Sequence, residues 1–381
     1  MNITIIGGGI TGLSTALALH QAGHEVSVYE KAPAIQPVGA GIWMAPNAMK
    51  VLNWLGVGEQ VKASAAILKM AEITDRKLRP LRSDQSIAGG EHEHQRIVSI
   101  HRAHLQGHLY EALPKEIIHL GHAYQRHEVL GEKVRVYLEG LEAPIETDLL
   151  LGADGLNSAV RRALFPDSEL RYSGQTCWRG VAPFHLDEQW DSTCREAWGP
   201  GLRFGFSDIG NGKVYWFAVA KAPQSQTDPQ EQRQQMLLKK FSPFAPLITD
   251  LIAATPTEAI LRHDLSDLKR IASWSKGPVG LLGDAAHATT PNMGQGAAQG
   301  IEDAYAFAQA MSEFPDPVEA LQQFEQRRRP KVDRVVNTSW QIGQVAHHPI
   351  GQPVARLAMR LTPTKVLNQQ MKSLYAVEGM R

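Results

Sequence analysis

The chain has 381 residues, of which 43% are hydrophobic and 20% charged, so it can build the core of an ordinary globular protein. Its 39 Lys and Arg residues balance its 39 Asp and Glu residues, which argues against a polyanion-binding surface, and we expect no nucleic-acid partner. The two cysteines, Cys177 and Cys194, exclude a disulfide scaffold and favour a cytoplasmic protein with free thiols, and the absence of a long apolar run predicts no membrane span.

The first elements are a predicted strand, a glycine-rich turn and a predicted helix. Residues 3–6 are β-branched and mostly apolar, as in a buried strand, and helical spacing follows from residue 13. Between them, the pattern G-x-G-x-x-G falls on Gly7, Gly9 and Gly12. These glycines allow a tight turn, the approach of backbone N–H groups to a pyrophosphate, and close packing of helix on strand. The stretch therefore predicts a dinucleotide site at a helix N-terminus.

A second predicted strand, residues 25–30, ends in the carboxylate of Glu30. Glu30 lies 18 residues after Gly12, close to the usual spacing of a ribose-binding acid. A carboxylate there accepts hydrogen bonds from ribose hydroxyls and repels a 2′-phosphate, which favours FAD or NAD over NADP. This fingerprint alone does not separate a dehydrogenase from a flavoprotein.

Another buried strand is predicted at residues 148–153, followed by Asp154 and Gly155. Ser158 is placed to cap the next helix. Two interpretations stay open here, because Asp-Gly also favours a plain turn between a strand and a helix.

Residues 171–270 alternate in a way that predicts an antiparallel sheet, with a hairpin turn at 210–212. Arg203 and Tyr215 fall on neighbouring strands of this sheet and are candidates for contact with a substrate. The competing interpretation is that Arg203 pairs with a carboxylate and Tyr215 is an ordinary aromatic of the sheet face. Trp43 and Met44 are either pocket wall or ordinary core.

A third strand end follows the apolar residues 279–282, where Gly283 and Asp284 precede a helix that begins near Gly294. Gly294 and Gly300 imitate a second dinucleotide fingerprint, but no strand comes directly before them. Ligands of open α/β sheets bind at the carboxyl ends of the strands. A ligand that needs a pyrophosphate site, a ribose acid, a polyol acid and a helix N-terminus beside a ring that gains negative charge is FAD.

The remaining polar clusters indicate structure more than chemistry. His92 and His94 have metal-like spacing, but no third ligand is evident and we predict no metal site. His287 is expected to hold a structural hydrogen bond. Residues 327–329 are three arginines, expected at the solvated end of a helix that Pro330 stops, and residues 350–381 should form a cap of helices.

Taken together, these motifs resemble those of the flavin-dependent aromatic hydroxylases, which are single-component FAD monooxygenases. The motifs follow one another in the right order from residue 1 to about Pro330. Within the family, the sequence resembles the group that contains salicylate hydroxylases, urate hydroxylases and zeaxanthin epoxidases. The stretches that carry it are 7–12 with Glu30, 39–42, 101–106, 152–161, and 283–296 with 325–330.

The resemblance implies a role for each matching residue. FAD would be bound tightly and without a covalent link. From the pyrophosphate and adenosine end to the flavin ring, the residues in contact with it would be Gly7, Gly9, Thr11, Gly12, Glu30, Lys31, Arg102, Gln106, Tyr124, Asp154, Asp284, Pro291, Gly294, Gln295 and Gly296. Thr11 departs from the Gly or Ala of many members. The match of Arg203 and Tyr215 to substrate-facing residues of urate-hydroxylase-like members does not select urate.

The implied reaction uses NADH or NADPH as a transient co-substrate to reduce FAD, and a flavin C4a-hydroperoxide formed with O₂ then hydroxylates an aromatic or heteroaromatic small molecule. Alternatives are epoxidation of an alkene, a reductase of the same fold, a flavin halogenase and a non-catalytic scaffold. The halogenase signature W-x-W-x-I-P is absent from the sequence, and a scaffold has no need of the strand-end acids.

The expected fold is α/β. A Rossmann-like FAD-binding domain (1–70, 98–170 and 271–340) carries an inserted, mostly antiparallel β-sheet domain for the substrate (71–97 and 171–270), and a C-terminal helical segment (341–381) follows. We expect a monomer or a homodimer.

Overall fold

The computed structural model describes residues 1–35, 39–84, 96–348 and 350–380. Its strands in chain order are β1 (Asn2–Ile6), β2 (Glu25–Glu30), β3 (Gly41–Met44), β4 (Ala65–Leu68), β5 (Met70–Asp75), β6 (Pro80–Asp84), β7 (Ile97–His101), β8 (Ile118–Leu120), β9 (Tyr124–Leu130), β10 (Lys133–Leu138), β11 (Ile145–Thr147), β12 (Leu149–Gly152), β13 (Leu170–Pro183), β14 (Thr193–Gly199), β15 (Leu202–Asp208), β16 (Lys213–Lys221), β17 (Leu261–Leu268) and β18 (Val279–Leu281). Its α-helices are α1 (Ile10–Gln21), α2 (Pro46–Trp54), α3 (Gly58–Ala63), α4 (Arg102–Glu111), α5 (Ala159–Leu164), α6 (Arg233–Phe241), α7 (Pro246–Ala254), α8 (Asp284–His287), α9 (Gly296–Glu313), α10 (Pro317–Ala346), α11 (Gly351–Leu361) and α12 (Thr364–Tyr375).

A parallel sheet of order β18-β12-β1-β2-β8 forms the centre of the nucleotide-binding half. In its register Ile6 lies opposite Tyr29 and Gly152, and Gly152 lies opposite Leu281. Because the strands are parallel, their carboxyl ends lie at one edge of the sheet. The three predicted strand ends that carry a glycine and an acidic residue all lie at this edge. This arrangement confirms the Rossmann-like sheet predicted from the sequence.

A seven-stranded sheet of order β17-β13-β16-β15-β14-β5-β6 forms the second half, and only the β14–β5 pairing is parallel. One face is a core in which Trp178, Phe204 and Trp216 pack with Phe241 and Ile248 of α6 and α7. At the predicted hairpin turn, Asn211 has a φ of 56°. The predicted antiparallel sheet is therefore confirmed.

The remaining elements connect these halves and complete the C-terminus. Two three-stranded sheets have the orders β11-β10-β9 and β3-β7-β4, and α11 and α12 supply the predicted C-terminal helices. Across the described ranges, we find no helix whose length and apolarity would let it cross a membrane. The domain boundaries given above stay a prediction.

The sequence interpretation of the three arginines is wrong. Helix α10 continues through Pro330 to Ala346, although a proline inside a helix costs about 3 kcal/mol. Arg328 is only 5% exposed and forms ion pairs with Glu302 and Asp303 of α9, at 2.7 and 2.9 Å. These buried pairs and the packing of α10 against α9 fix the helix on both sides of the proline.

Candidate active site

The two glycine-rich turns meet through Thr11. A Cβ placed on Gly283 would lie 2.5 Å from Thr11 Oγ1, and one on Gly300 would lie 2.1 Å from the same atom. Within the first turn, a Cβ on Gly12 would lie 1.9 Å from the carbonyl oxygen of Gly7. Side chains are excluded at these three glycines, so the helices α1 and α9 approach each other closely at the carboxyl edge of the parallel sheet.

Both helices that start at this edge present free backbone N–H groups. The first helical bonds run from Leu13 to Gly9 in α1 and from Gln299 to Gln295 in α9. No side chain among the described residues caps either N-terminus, so the preceding amides of each first turn are available to an anion. A Cβ at Gly9 would meet open space, as expected of backbone that lines a cleft.

The carboxylate of Glu30 lies against the first turn. It accepts hydrogen bonds from the backbone N–H of Gly8 at 2.7 Å and of Ala32 at 2.9 Å. Gln106 of α4 donates to the carbonyl of Gly8 at 2.7 Å. A carboxylate has about four acceptor positions, so Glu30 retains capacity for a ribose diol.

Asp154 uses one of its two carboxylate oxygens within the fold. One carboxylate oxygen caps α5 by accepting from the N–H groups of Ala159 and Val160, at 2.7 and 3.2 Å. The other oxygen is buried and has no partner among the described residues, which suits a missing polar ligand. Burial and the charge of Asp154 raise the pKa of Tyr124, which places that phenol beside the same edge.

Asp284 and Arg102 lie close enough for their charges to interact. Both side chains are open to solvent. Desolvation by the surrounding protein nevertheless raises the pKa of Asp284 and lowers the pKa of Arg102. The charge of Arg102 partly offsets the shift at Asp284, and the charge of Asp284 partly offsets the shift at Arg102. Oδ1 of Asp284 is 3.9 Å from a Cβ placed on Gly296, the first residue of α9, so this acid lies beside the free amides of that helix.

Beneath α9, a buried ion-pair network holds the second turn. Asp303 accepts from the N–H of Gly283 at 2.9 Å, from His287 at 2.6 Å and from Arg328. Burial alone would raise the pKa of Asp303, but His287 and Arg328 outweigh it and hold the pKa at about 2. His287 therefore makes the structural hydrogen bond expected of it. The Asp303 carboxylate also holds Gly283, the residue that begins the turn after β18.

The seven-stranded sheet presents its second face to this cleft. Arg203 is 2% exposed and donates to Glu196 at 3.0 Å and to Asn292 Oδ1 at 2.5 Å. Asn292 belongs to the 3-10 turn Pro291–Met293, which leads into Gly294. The carboxylate pairing agrees with the competing interpretation of Arg203, but its Nε is buried without a partner among the described residues, so one donor is free.

Aromatic side chains share that face. Tyr215 lies over Gly41, where a Cβ would be 2.2 Å from the ring. Trp43 packs edge-on against Tyr215 and Phe217, with centroid distances of 6.5 and 5.8 Å. Burial raises the pKa of Tyr215 to about 12, against an opposing effect of Arg179, so the phenol is neutral at pH 7. Met44, by contrast, is ordinary core.

Arg179, Asn292 and Arg328 were not recognised as site-forming residues in the sequence. Arg179 pairs with Phe217 in the strand register and therefore points to the same face as Tyr215. The alternation of β13 is the signal that identifies it, since Trp178 faces the opposite core. For Asn292 and Arg328 no local signal exists, because their partners are distant in the chain.

The structure thus gathers most of the predicted cofactor residues around one cleft. Lys31 and Pro291 are exposed, whereas Arg203 and Tyr215 lie on the facing sheet. His92 and His94 lie outside the described residues, and the described part of the chain contains no group of side chains suited to a metal ion.

The fold and this cleft define a dinucleotide-binding oxidoreductase of the flavoprotein class, because open glycine turns, free helix amides and the unpaired oxygen of Asp154 all fit FAD. A family model described as an FAD binding domain matches residues 1–339, and the chain belongs to that family.

Relatives of known activity are similar over most of the chain. Aurachin C monooxygenase/isomerase of Stigmatella aurantiaca is 37% identical, over 91% of this chain and 89% of its own. The 2-heptyl-3-hydroxy-4(1H)-quinolone synthase of Pseudomonas aeruginosa is 32% identical with the same coverage. Zeaxanthin epoxidase of Prunus armeniaca is 34% identical, over 87% of this chain and 53% of its own.

Among solved structures, Klebsiella pneumoniae HpxO in complex with FAD and uric acid superposes with a TM-score of 0.90 at 26% identity, covering 98% of this chain and 96% of its own. The predicted resemblance is confirmed. The protein is an FAD-dependent monooxygenase.

Proposed function

We propose that the protein hydroxylates an aromatic or heteroaromatic small molecule, with O₂ as the oxygen donor and NADH or NADPH as a transient source of electrons. The observation that carries this proposal is the bond between Arg203 and Asn292. It joins the aromatic face of the seven-stranded sheet to the turn that opens α9. A planar substrate bound on that face would lie next to the free amides of α9.

The names of the relatives support a heteroaromatic substrate. One relative makes a 3-hydroxy-4(1H)-quinolone, and the superposed HpxO binds uric acid. Epoxidation remains the second candidate, because zeaxanthin epoxidases are also similar to this chain.

When bound, FAD supplies the electron storage and the activation of O₂. The protein residues then have three tasks. The free amides of α1 bind the pyrophosphate, and those of α9 stabilise negative charge on the flavin ring. Trp43, Tyr215 and Phe217 exclude water from the reacting edge. The free Nε–H of Arg203 donates a hydrogen bond to a carbonyl or hydroxyl oxygen of the substrate.

The buried free thiols Cys177 and Cys194 support a reducing, cytoplasmic location as part of this proposal. A monomer or a homodimer is equally compatible with it.

The test is a substrate screen on the purified yellow protein. We expect a quinolone, purine or phenol to stimulate NADH or NADPH oxidation with matching O₂ uptake and to gain one oxygen atom on the ring. Peroxide is measured in parallel to detect uncoupled turnover. Anaerobic formation of a reduced product would contradict the proposal, and conversion of alkenes alone would select the epoxidase.

The variant Arg203→Met tests the placement of the substrate. We expect an increase in KM of about tenfold or more with unchanged flavin content, because a hydrogen bond from a charged donor is lost. Arg135→Met, which removes an exposed Arg–Glu pair on β10, is the control. Equal KM values for the two variants would exclude Arg203 from the pocket.

A further inference from the structure

Helix α11 is amphipathic, and its apolar side faces the solvent. Ile350, Val354, Leu357 and Leu361 recur at helical spacing on one side, and they are between 58% and 72% exposed. Every other exposed large hydrophobic residue that the structure describes is at most 47% exposed. We call these four residues the α11 stripe.

The polar side of α11 faces the protein. Gln352 is 7% exposed and donates to the carbonyls of Gly199 and Ala346, both at 2.9 Å. Arg356, one turn later, donates to the carbonyl of Trp198. An ordinary surface helix buries its apolar side and exposes its polar side. The reversed orientation means that the stripe is presented to a partner.

The charge of the surrounding segment identifies the kind of partner. Residues 334–377 contain five Lys or Arg and no Asp or Glu, in a chain whose overall charge is zero. Lys365 and Lys372 are exposed on the next helix, α12. A second copy docked through the same patch would bring these cations face to face in a two-fold contact, whereas an anionic surface would complement them.

We propose that α11 and α12 dock the protein on an anionic lipid surface, with the α11 stripe inserted among the acyl chains and the flanking cations at the headgroups. The contact is interfacial and reversible. It does not rest on the proposed substrate. Since α11 is attached at Trp198, which lies opposite Arg203 in the strand register, docking would place the candidate substrate face near the membrane.

The test measures sedimentation of the full-length, flavin-loaded protein with vesicles of phosphatidylcholine and phosphatidylglycerol in equal parts, against vesicles of phosphatidylcholine alone. We expect binding to the anionic vesicles that is at least about tenfold tighter and falls with added salt. The variant Lys365→Gln/Lys372→Gln should bind about twenty-five-fold more weakly, at roughly fivefold for each cation.

The variant Leu357→Asp/Leu361→Asp should lose binding by more than tenfold while it keeps its flavin content and Tm, because both side chains are already exposed. The matched control is Val129→Asp/Leu130→Asp, at exposed apolar residues of the β9–β10 hairpin, which should bind like the wild type. Equal sedimentation of wild type and stripe variant would overturn the proposal, as would equal binding to both vesicle types. Self-association lost in the stripe variant, without vesicle binding, would assign the patch to a second copy instead.

Discussion

At the scale of single residues, Thr11 shows how a small side chain can determine the site. Its hydroxyl lies where Gly283 and Gly300 would otherwise carry a Cβ, so two turns almost 280 residues apart in the sequence become one packed unit. The sequence identified both turns through their glycines. It did not show that they touch, because nothing local in the chain encodes that contact.

The strand-end acids allow a prediction for single residues. Asp284→Asn should weaken FAD binding by about tenfold or more, since hydrogen bonds to a charged acceptor are lost. Glu30→Gln should do the same and also weaken the binding of AMP, whereas Asp284→Asn should leave AMP binding unchanged. Titration of the flavin-free protein with FAD, followed by flavin fluorescence, measures the FAD affinity, and displacement of FAD by AMP measures the AMP affinity. The exposed Glu132→Gln serves as control, and wild-type FAD affinity in either acid variant would disprove the placement of that acid.

At the scale of elements, local patterns predicted the β1–α1–β2 unit and the alternating strands, because each segment contains its own hydrophobic periodicity and its own turn residues. Helix α10 was mispredicted at Pro330 for the opposite reason. Its continuation depends on Glu302 and Asp303, which lie on another helix and pair with Arg328. Buried ion pairs between helices leave no periodic signal in either helix.

The α9–α10 contact predicts a particular pH dependence of stability. The pKa of Asp303 is about 2 in the folded protein and about 3.9 in an unfolded chain. A lowered carboxyl pKa contributes stability that is present above the unfolded value and is lost as the pH falls from about 4 to 2. This contribution amounts to about 2–3 kcal/mol at neutral pH.

Urea unfolding of the wild type and of Asp303→Asn at several pH values measures the contribution of Asp303 to stability. We expect the variant to be less stable at pH 7, and the difference in unfolding free energy between the two proteins to narrow below about pH 4. Glu313→Gln removes the partially exposed pair with Arg327 and should cost less than about 1 kcal/mol. A gap for Asp303→Asn that stays constant down to pH 3 would contradict this account.

At the scale of the whole molecule, the sequence predicted the two sheets and the sheet edge that carries the glycine-rich turns. It left open how the substrate sheet faces that edge. In the structure, the contacts of Asn292, Gly41 and Tyr215 cross between the two halves and set this arrangement. The outward-facing stripe of α11 is also a property of the assembled fold, since amphipathic spacing alone does not tell which side packs inward.

The central claim is that one FAD spans both glycine-rich turns. A crystal structure of the yellow protein as purified tests it most directly. We predict one FAD, with its pyrophosphate at the first turn of α1 and its flavin ring at the first residues of α9, facing Arg203 and Tyr215. A protein that takes up no flavin, or a flavin bound away from either turn, would contradict the account.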